Sequence, residues 1–448
     1  MVHMASRAEQ PPPADARCAT SLGRGLDAAV PDAVAEAMAL LGAPATMAII
    51  EVSAPGDPLA AGRALAHASA LITEISPECV VVGSNAHGVI GGDTSVEVQP
   101  AISVWVAHLP GSHPRGFRLA TVPAPHGGLA LTGLPDLEER DRLAFLLADP
   151  WTLPADDVVA AFARVDGPLP VAGGLVSGGG RRGDSRLLLD GAVFDNGGVG
   201  MVLDRAAPIR LIVSQGCRPI GQPMTVTDAD GTSIHTLAGR PALEMVRDVV
   251  ESLDAGDQAL AVRGLHVGIA RDAGVDGVSA SDYVIRGIVG ADPATGSVTV
   301  GDDVAVGSVV RLHVRDADSA EADLRSVIGL VGDDVPAAGA YLVSCNGRGS
   351  AMFTTPDHDA SIVRQGLQTD AVGGFFAAGE IGPVGGANHL HGFTAVIVLV
   401  DRRRHRDDVD AQRVEVPRIH GDGPAGEIDP SPGLDDLDEE IRRLLDPS

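Results

Sequence analysis

The sequence contains no lysine, and all 33 of its basic residues are arginine. Schiff-base enzymes use a lysine amine as nucleophile, and the phosphate-binding loop of P-loop nucleotide hydrolases uses a lysine ammonium group. Both classes are therefore excluded. Aromatic residues make up only 3% of the chain, so the interior must be built from Val, Leu, Ile and Ala. Such a chain also offers little surface for stacking on nucleobases.

Positive charge is scarce as well, since 60 acidic residues give a formal net charge of −27. A field of this sign repels phosphate backbones and anionic lipids, so we expect neither nucleic acid nor a membrane as partner. No apolar run approaches the ~20 residues of a membrane-spanning helix, and no signal-peptide pattern opens the chain. The four cysteines form no CxxC pair, which predicts reduced thiols in the cytoplasm; they are Cys18, Cys79, Cys217 and Cys345.

Helical and strand patterns alternate in the first part of the chain. Helices are predicted over 26–42 and 59–76, and strands over 45–53, 79–84 and 101–109. Strands dominate later, where the pair Asp230-Gly231 predicts a hairpin turn. We therefore predict an α/β fold of two related domains, in which mixed β-sheets are layered against helices.

The composition also suggests domain limits. Residues 1–25 are rich in Pro, Ala and Arg and read as a flexible lead-in. Two domains are predicted over 26–239 and 240–401. Residues 402–448 form an acidic tail with a short amphipathic helix, which we interpret as docked on its own domain or, alternatively, as a motif for a protein partner.

A short pattern recurs within the chain. "VVVGSNAHGVIGG" followed by "AISVWVAH" is similar to "GFFAAGEIGPVGG" followed by "TAVIVLV". A weaker third copy is "VAGGLVSGGG" followed by "GGVGMVL". Each time a strand ends at glycines, a loop of small residues follows and an apolar strand returns. The repetition indicates an internal duplication with related halves that face one another.

Four segments together resemble one protein family. They are "VVGSNAHGVIGG" (81–92), the long segment 214–244 that begins "SQGCRPIG", "SCNGRGSAMF" (344–353) and "GEIGPVGGANHLHGFTAVIVLV" (379–400). They resemble the FIST family, whose bacterial members carry a FIST N-terminal and a FIST C-terminal domain over a span like 30–400 here. The resemblance implies an intracellular sensory module that binds small ligands such as amino acids. No F-box-like segment or output domain is recognised, so we expect the signal to pass to a separate partner.

The segment 374–400 is the strongest candidate for a ligand site. Glycines there would expose backbone N–H groups around Glu380 and Asn388, and a strand starting near His389 would place His389, His391 and Phe393 on one face. A concave site lined by these groups suits a small zwitterion, with Glu380 binding the ammonium group. Backbone amides and Arg348 would bind its carboxylate. Tight turns and buried hydrogen-bonded histidines explain the same residues without a ligand.

Further candidates lie in similar loops. Ser84, Asn85 and His87 lie in the predicted loop 83–92, and Arg218 lies at a strand end in "SQGCRPIG". Asn346 neighbours Arg348. We include these five in the predicted ligand site, although turn chemistry and pairing with the many acids also account for them.

Two chemical alternatives remain open. His389 and His391 with a carboxylate could form a partial metal chelate, but no third ligand has suitable spacing, so no metal or cofactor is expected. Cys345 follows an apolar strand and could be a nucleophile activated by His389 or His391, in a hydrolase or transferase. We expect a non-catalytic ligand-binding protein, with such an enzyme or a protein-interaction scaffold as alternatives.

Overall fold

The computed structural model describes residues 15–124, 128–163, 169–270, 283–332 and 337–402. The predicted amphipathic stripe near the end of the chain lies outside these residues. The fold consists of three similar α/β units and a β-rich lobe, which is inserted into the third unit.

The secondary structure follows chain order. Unit 1 contains β1 (Arg17–Arg24), α1 (Ala29–Leu41), β2 (Met47–Ser53), α2 (Pro58–Ile75), β3 (Val80–Asn85), β4 (Gly88–Gly91), β5 (Thr94–Glu97) and β6 (Ala101–His108). Unit 2 contains β7 (Arg115–Pro123), β8 (Leu129–Thr132), β9 (Asp141–Ala148), α3 (Ala155–Ala163), β10 (Val171–Leu175), β11 (Leu187–Leu189), β12 (Ala192–Phe194) and β13 (Gly198–Asp204).

Unit 3 begins with β14 (Ile209–Ser214). The lobe follows, with β15 (Cys217–Asp230), β16 (Ser233–Leu237), β17 (Arg240–Pro241), α4 (Ala242–Glu251), α5 (Ala255–Arg263), β18 (Leu265–Ala270), β19 (Tyr283–Asp292), β20 (Ser297–Val300) and β21 (Val309–Arg315). Unit 3 then resumes with α6 (Ala317–Gly332), β22 (Ala337–Cys345), α7 (Gly349–Met352), α8 (His358–Leu367), β23 (Val372–Ala377), β24 (Glu380–Val384), β25 (Ala387–His391) and β26 (Ala395–Asp401).

The helices and strands predicted between residues 26 and 109 are confirmed, and so is the hairpin at Asp230-Gly231, which joins β15 to β16. The mixed sheets layered against helices are confirmed too. The internal repeat is more extensive than a duplication, because the third, weaker sequence copy corresponds to a complete structural unit.

The three main sheets share one plan. Their strand orders are β1-β6-β2-β3-β11-β12, then β7-β13-β9-β10-β24-β25 with β8 added at the edge, and β14-β26-β22-β23-β4-β5. In each sheet the two central strands are parallel and their other neighbours are antiparallel. The last two strands always form a hairpin that comes from a different unit. Unit 1 gives its hairpin to unit 3, unit 3 to unit 2, and unit 2 to unit 1, so the exchange forms a closed cycle.

The exchange places a common core between the sheets. Trp105 of unit 1, Phe145 of unit 2 and Tyr341 of unit 3 meet there, with ring centroids 5.7 Å apart for Trp105–Tyr341 and 5.4 Å for Phe145–Tyr341, both edge to face. This arrangement is favourable for aromatic rings. The outer faces are covered separately, by α1 and α2 on the first sheet, α3 on the second, and α6 and α8 on the third.

The lobe has its own core beneath α4 and α5. Its antiparallel strands follow the order β15-β21-β18-β19-β20-β16, and β16 also pairs with β15, so the ladder closes on itself. No helix in the described part of the chain is both long and apolar enough to cross a bilayer.

A glycine recurs on the second central strand of every unit. At Gly83, Gly173 and Gly374 a Cβ atom would collide with the carbonyl oxygen of the facing residue on the first central strand. The two backbones approach so closely there that a side chain cannot fit. This close contact explains why the repeated sequence motif is rich in glycine.

We expect Gly83→Ala to destabilise the protein by about 3 kcal/mol, because its Cβ would press on the Ile50 carbonyl and force the strands apart. Urea unfolding measures the effect. Gly287→Ala is the matched control, since a Cβ at that strand glycine meets no atom within 4 Å. Equal unfolding midpoints for the two variants would contradict the interpretation.

Candidate functional site

The connection between the first central strand and the next long helix differs among the units. It covers 54–57 in unit 1 and 149–154 in unit 2, but 346–357 in unit 3, where it includes the short helix α7. The longer connection does not fill the space beside the hairpin that unit 1 gives to unit 3. A cavity of about 190 Å³ remains there.

The cavity lies between two units. Unit 1 contributes Ile90, Ser95 and Glu97, and unit 3 contributes residues of the segment 349–360 together with Phe376. Because the exchanged hairpin forms one wall, the cavity depends on the exchange itself. Neither Arg348 nor Glu380 nor His391 lines it.

Carboxylates dominate the polar lining. Glu97 accepts hydrogen bonds from the backbone N–H of Ser350 at 2.9 Å and from its hydroxyl at 3.0 Å. Asp357 accepts from the N–H of Ser95 at 2.6 Å and from its hydroxyl at 2.7 Å. A Cβ at Gly349 would lie 2.6 Å from the Glu97 carboxylate, so this acid approaches the backbone closely.

The helix α8 begins at the cavity wall. Its N-cap residue is Asp357, whose side chain makes no capping hydrogen bond and instead accepts from Ser95. The first residues of the helix, His358, Asp359 and Ala360, line the cavity. The first N–H groups of a helix carry partial positive charge and attract anions. One wall therefore suits an anion, while Glu97 on the opposite hairpin suits a cation.

A buried ion pair supports this wall. Arg348 is fully buried, and it donates from Nε to Oδ2 of Asp359 at 2.7 Å and from Nη2 to Oδ1 at 2.9 Å. Asp359 also accepts from the Ser344 hydroxyl at 2.8 Å and lies 3.0 Å from Nδ1 of His358. Burial disfavours the carboxylate, but the charge of Arg348 and these hydrogen bonds outweigh it and hold the pKa of Asp359 well below its usual range.

Glu380 is fully buried behind this pair. Its Oε2 accepts from the N–H of Thr394 at 3.0 Å and from the Thr394 hydroxyl at 2.9 Å. No described residue makes a hydrogen bond of normal geometry to Oε1, although the thiol of Cys345 lies beside the carboxyl group. Burial raises the pKa of Glu380 to about 8. At neutral pH the group is therefore mostly protonated, which makes it a poor partner for an ammonium group.

Two family models match the chain. The FIST N domain matches residues 54–240 and the FIST C domain matches residues 242–383. Uncharacterised proteins of Mycobacterium bovis and Mycobacterium tuberculosis are each 44% identical to the chain over 336 residues, which is 74% of this chain and 85% of each relative. Another uncharacterised protein of Mycobacterium tuberculosis is 42% identical to the chain over 324 residues, which is 71% of this chain and 83% of that relative.

The chain belongs to the FIST family. Domains of this family are generally sensory and bind ligands in signal transduction. The boundary between the two FIST matches falls inside the lobe, and β14, which precedes the boundary, pairs with β26, which follows it. The domain limits 26–239 and 240–401 stay a prediction.

The exchanged hairpin of unit 3 holds four of the predicted ligand residues, namely Glu380, Asn388, His389 and His391. Asn388 accepts from the N–H of Val171 at 2.8 Å and donates to the carbonyl of Leu169 at 2.9 Å, which ties the hairpin to unit 2. His391 Nε2 lies 2.9 Å from the carbonyl oxygen of Gly382, and the His389 and His391 rings are 6.1 Å apart. In the described part of the chain no cluster of His, Cys, Asp or Glu could hold a metal ion.

The prediction that Phe393 shares one strand face with His389 and His391 is wrong. The strand β25 ends at His391, and Phe393 has a φ of 62° in the turn before β26. The turn at 392–394 therefore interrupts the alternation of side chains that the strand pattern predicted as far as Phe393.

The predicted residues of unit 1 contact neighbouring strands. The Ser84 hydroxyl donates to Oε2 of Glu51 at 2.6 Å. Asn85 donates to the carbonyl of Asp184 at 3.0 Å and accepts from the N–H of Arg186 at 2.7 Å. Asn85 therefore fastens unit 1 to unit 2.

The other predicted residues also make contacts within the protein. The N–H of His87 donates to the Ser177 hydroxyl at 2.8 Å. Arg218 donates from Nε to Asp316 at 2.8 Å and from Nη2 to Asp257. The N–H of Asn346 donates to the carbonyl of Ala377 at 2.8 Å. Binding of a ligand by any of these residues stays a prediction.

One buried acid at the centre of the molecule was not predicted from the sequence. Glu51 accepts from Ser84, its neighbour on β3, and from the Tyr341 hydroxyl of unit 3 at 2.8 Å. Its signal in the sequence was a single acid inside the apolar strand "MAIIEVS". Glu97, Asp357 and Asp359 were not predicted as site residues either. In a chain with 60 acidic residues they look like ordinary surface acids.

We expect Glu51→Gln and Glu380→Gln each to reduce the loss of stability with rising pH. Burial raises the pKa of both carboxyls from 4.5 to about 8, so the native state holds protons that the unfolded chain releases above pH 4.5. Stability therefore falls as the pH rises from about 4.5 to about 8, by up to ~1.4 kcal/mol per pH unit for each group, and levels off above that range.

Urea midpoints between pH 5 and pH 8.5 measure this slope. The exposed Glu74→Gln on α2 is the control and should leave the slope unchanged. A wild-type slope that persists in both buried variants would show that neither carboxyl is protonated in the native protein.

We expect Cys345 to react slowly with iodoacetamide in the native protein. It is 5% exposed, and burial raises the pKa of its thiol, so little thiolate is available. Mass spectrometry after timed alkylation should show Cys345 modified no faster than Cys79 and Cys217, which are also buried. Rapid, selective modification of Cys345 would instead favour a nucleophilic role.

Proposed function

We propose that this FIST protein is a sensor for a small zwitterionic molecule, such as an amino acid, bound in the cavity between units 1 and 3. The observation that carries the proposal is the opposed polarity of the walls. Glu97 on the exchanged hairpin offers a carboxylate, and the uncapped start of α8 offers backbone N–H groups. A ligand with an ammonium and a carboxylate group satisfies both walls.

The dimensions of the cavity support a small ligand. Drug-sized molecules generally occupy pockets of ~300–1,000 Å³, whereas this cavity has about 190 Å³. Phe353, Phe376 and Ile90 add an apolar part to the lining. A small amino acid with a short side chain matches both the volume and the mixed chemistry.

The ligand roles shift relative to the sequence interpretation. Arg348 is engaged by Asp359 and by the carbonyl of Phe393 at 3.3 Å, and Glu380 is buried and protonated. We therefore assign the ammonium contact to Glu97 and the carboxylate contact to α8. Arg348 keeps a role in fixing Asp359 at the wall.

The signalling context is part of the proposal. We place the protein in the cytoplasm, where its free cysteines stay reduced, and we expect a separate protein partner to receive the signal. The net charge of −27 argues against nucleic acid and anionic membranes as that partner. The buried, protonated thiol of Cys345 supports binding over nucleophilic catalysis.

We expect at least one of the twenty standard amino acids to raise the melting temperature of the full chain by several degrees, measured by differential scanning fluorimetry. A ligand at one hundred times its Kd stabilises the native state by about 2.7 kcal/mol. Ethylamine and propionate, which each carry one of the two charges, should give smaller shifts. No shift with any amino acid would contradict the proposal.

Glu97→Gln tests the site. It keeps the shape of the side chain but removes the charge that binds the ammonium group, so we expect the affinity to fall at least tenfold. Glu74→Gln on α2 is the matched control and should bind like the wild type. An unchanged affinity in Glu97→Gln would place the ligand elsewhere.

A further inference from the structure

We propose that Arg348 and Phe393 couple the cavity wall to the lobe, so that the lobe (217–315) is the part of the protein that responds to the ligand. The inference rests on the proposed function for the nature of the ligand. The coupling itself rests on a continuous chain of contacts between the cavity and two strands of the lobe.

The first contact joins the cavity to Arg348. Asp359 lines the cavity and is held by two hydrogen bonds from the guanidinium group. Both partners are buried, so neither can move far without losing charge compensation in a medium of low polarity. A ligand that fixes the start of α8 therefore also fixes Arg348.

The second contact joins Arg348 to Phe393. The guanidinium Nη1 donates to the Phe393 carbonyl at 3.3 Å. Phe393 has a φ of 62°, a left-handed conformation that is unfavourable for a residue with a bulky side chain. Gly216 and Gly347 make room for it, since a Cβ at Gly216 would collide with its carbonyl oxygen and one at Gly347 with its ring.

The third contact joins Phe393 to the lobe. Its ring lies edge to face with His266 of β18, at a centroid distance of 4.8 Å, and the guanidinium carbon of Arg315 on β21 lies 4.9 Å from the ring centroid. Burial and then the charge of Arg315 lower the pKa of His266 to about 4, so its imidazole is neutral at physiological pH. The ring thus contacts side chains of two adjacent strands of the lobe.

This chain has the properties of a two-state element. A strained residue persists only while its surroundings hold it, and here Arg348 holds the carbonyl of Phe393 while the lobe holds the ring. The next residue, Thr394, is fixed by Glu380. Loss of the Arg348 contact would let the turn relax and move the ring away from His266 and Arg315.

The lobe would not detach when this happens. Arg286 of β19 donates to the carbonyl of Leu390 at 2.6 Å, and Arg218 at the base of the lobe binds Asp316 of unit 3. These contacts lie outside the chain from Asp359 to Phe393. We therefore expect loosening of β18 and β21 while the lobe stays attached.

Amide hydrogen exchange of the full chain tests the coupling without any ligand. Arg348→Lys keeps the charge but cannot make both contacts of the guanidinium fork, and Phe393→Leu removes the ring. Each should raise the exchange rates of β18 and β21 about tenfold. The double variant should exchange no faster than the faster single variant, because both changes break one chain of contacts.

Arg218→Lys is the matched control, since Arg218 also pairs with carboxylates but lies outside the chain of contacts. Its effect should add to that of Phe393→Leu. Exchange in β2 of unit 1 should be unchanged in every variant, which distinguishes local loosening from global destabilisation. Additive effects of Arg348→Lys and Phe393→Leu would overturn the proposal.

Arg315→Gln replaces Arg348→Lys if the latter fails to fold. It removes the charge over the Phe393 ring from the lobe side and should give the same non-additive pattern with Phe393→Leu. Additivity in this pair would likewise overturn the coupling.

An equimolar mixture of the twenty standard amino acids serves as the ligand probe. In the wild type it should slow exchange both in residues 349–360 and in β18 and β21. In Phe393→Leu it should protect only residues 349–360. Protection that still reaches the lobe in Phe393→Leu would exclude Phe393 as the link, whereas no protection anywhere in the wild type would count against the proposed function alone.

Discussion

The cyclic exchange of hairpins is the constraint on which the rest of the structure depends. Each of the three main sheets is incomplete until a hairpin from another unit adds its last two strands. Within each sheet, glycines such as Gly83 and Gly173 are required where the two central strands approach each other closely. The cavity is a product of the same exchange, because one of its walls is the hairpin of unit 1 laid against unit 3.

The interior holds acids in two different states. Asp359 remains ionised because Arg348 supplies a charge and a fork of hydrogen bonds. Glu51 and Glu380 receive only neutral donors, so burial raises their pKa values and keeps them protonated at neutral pH. The ionised acid lies at the cavity, and the protonated ones lie where units meet. Electrostatics thus distinguishes the ionised acid at the cavity from the protonated acids that join the units.

Much of the local structure could be predicted from the sequence. Apolar periodicity located the helices and strands of unit 1, and the repeated glycine motif indicated related segments. The exchange could not be predicted, because a short hairpin such as "GVIGGDTSVE" can pair with its own sheet or with another one equally well by pattern. The predicted site residues are spread over different units and the lobe, and none of them lines the cavity, which depends on Glu97 and Asp359. These two gain their positions only through contacts between residues distant in sequence.

The closed exchange also affects how the chain can be made. The strand β10 finds its antiparallel partner in β24, which the ribosome synthesises near the end of the described chain, after the whole lobe. Until then the second sheet has an open edge that could pair with another molecule. Unit 2 therefore cannot finish folding while it is being synthesised. Its sheet is completed only after the distant hairpin of unit 3 has been made.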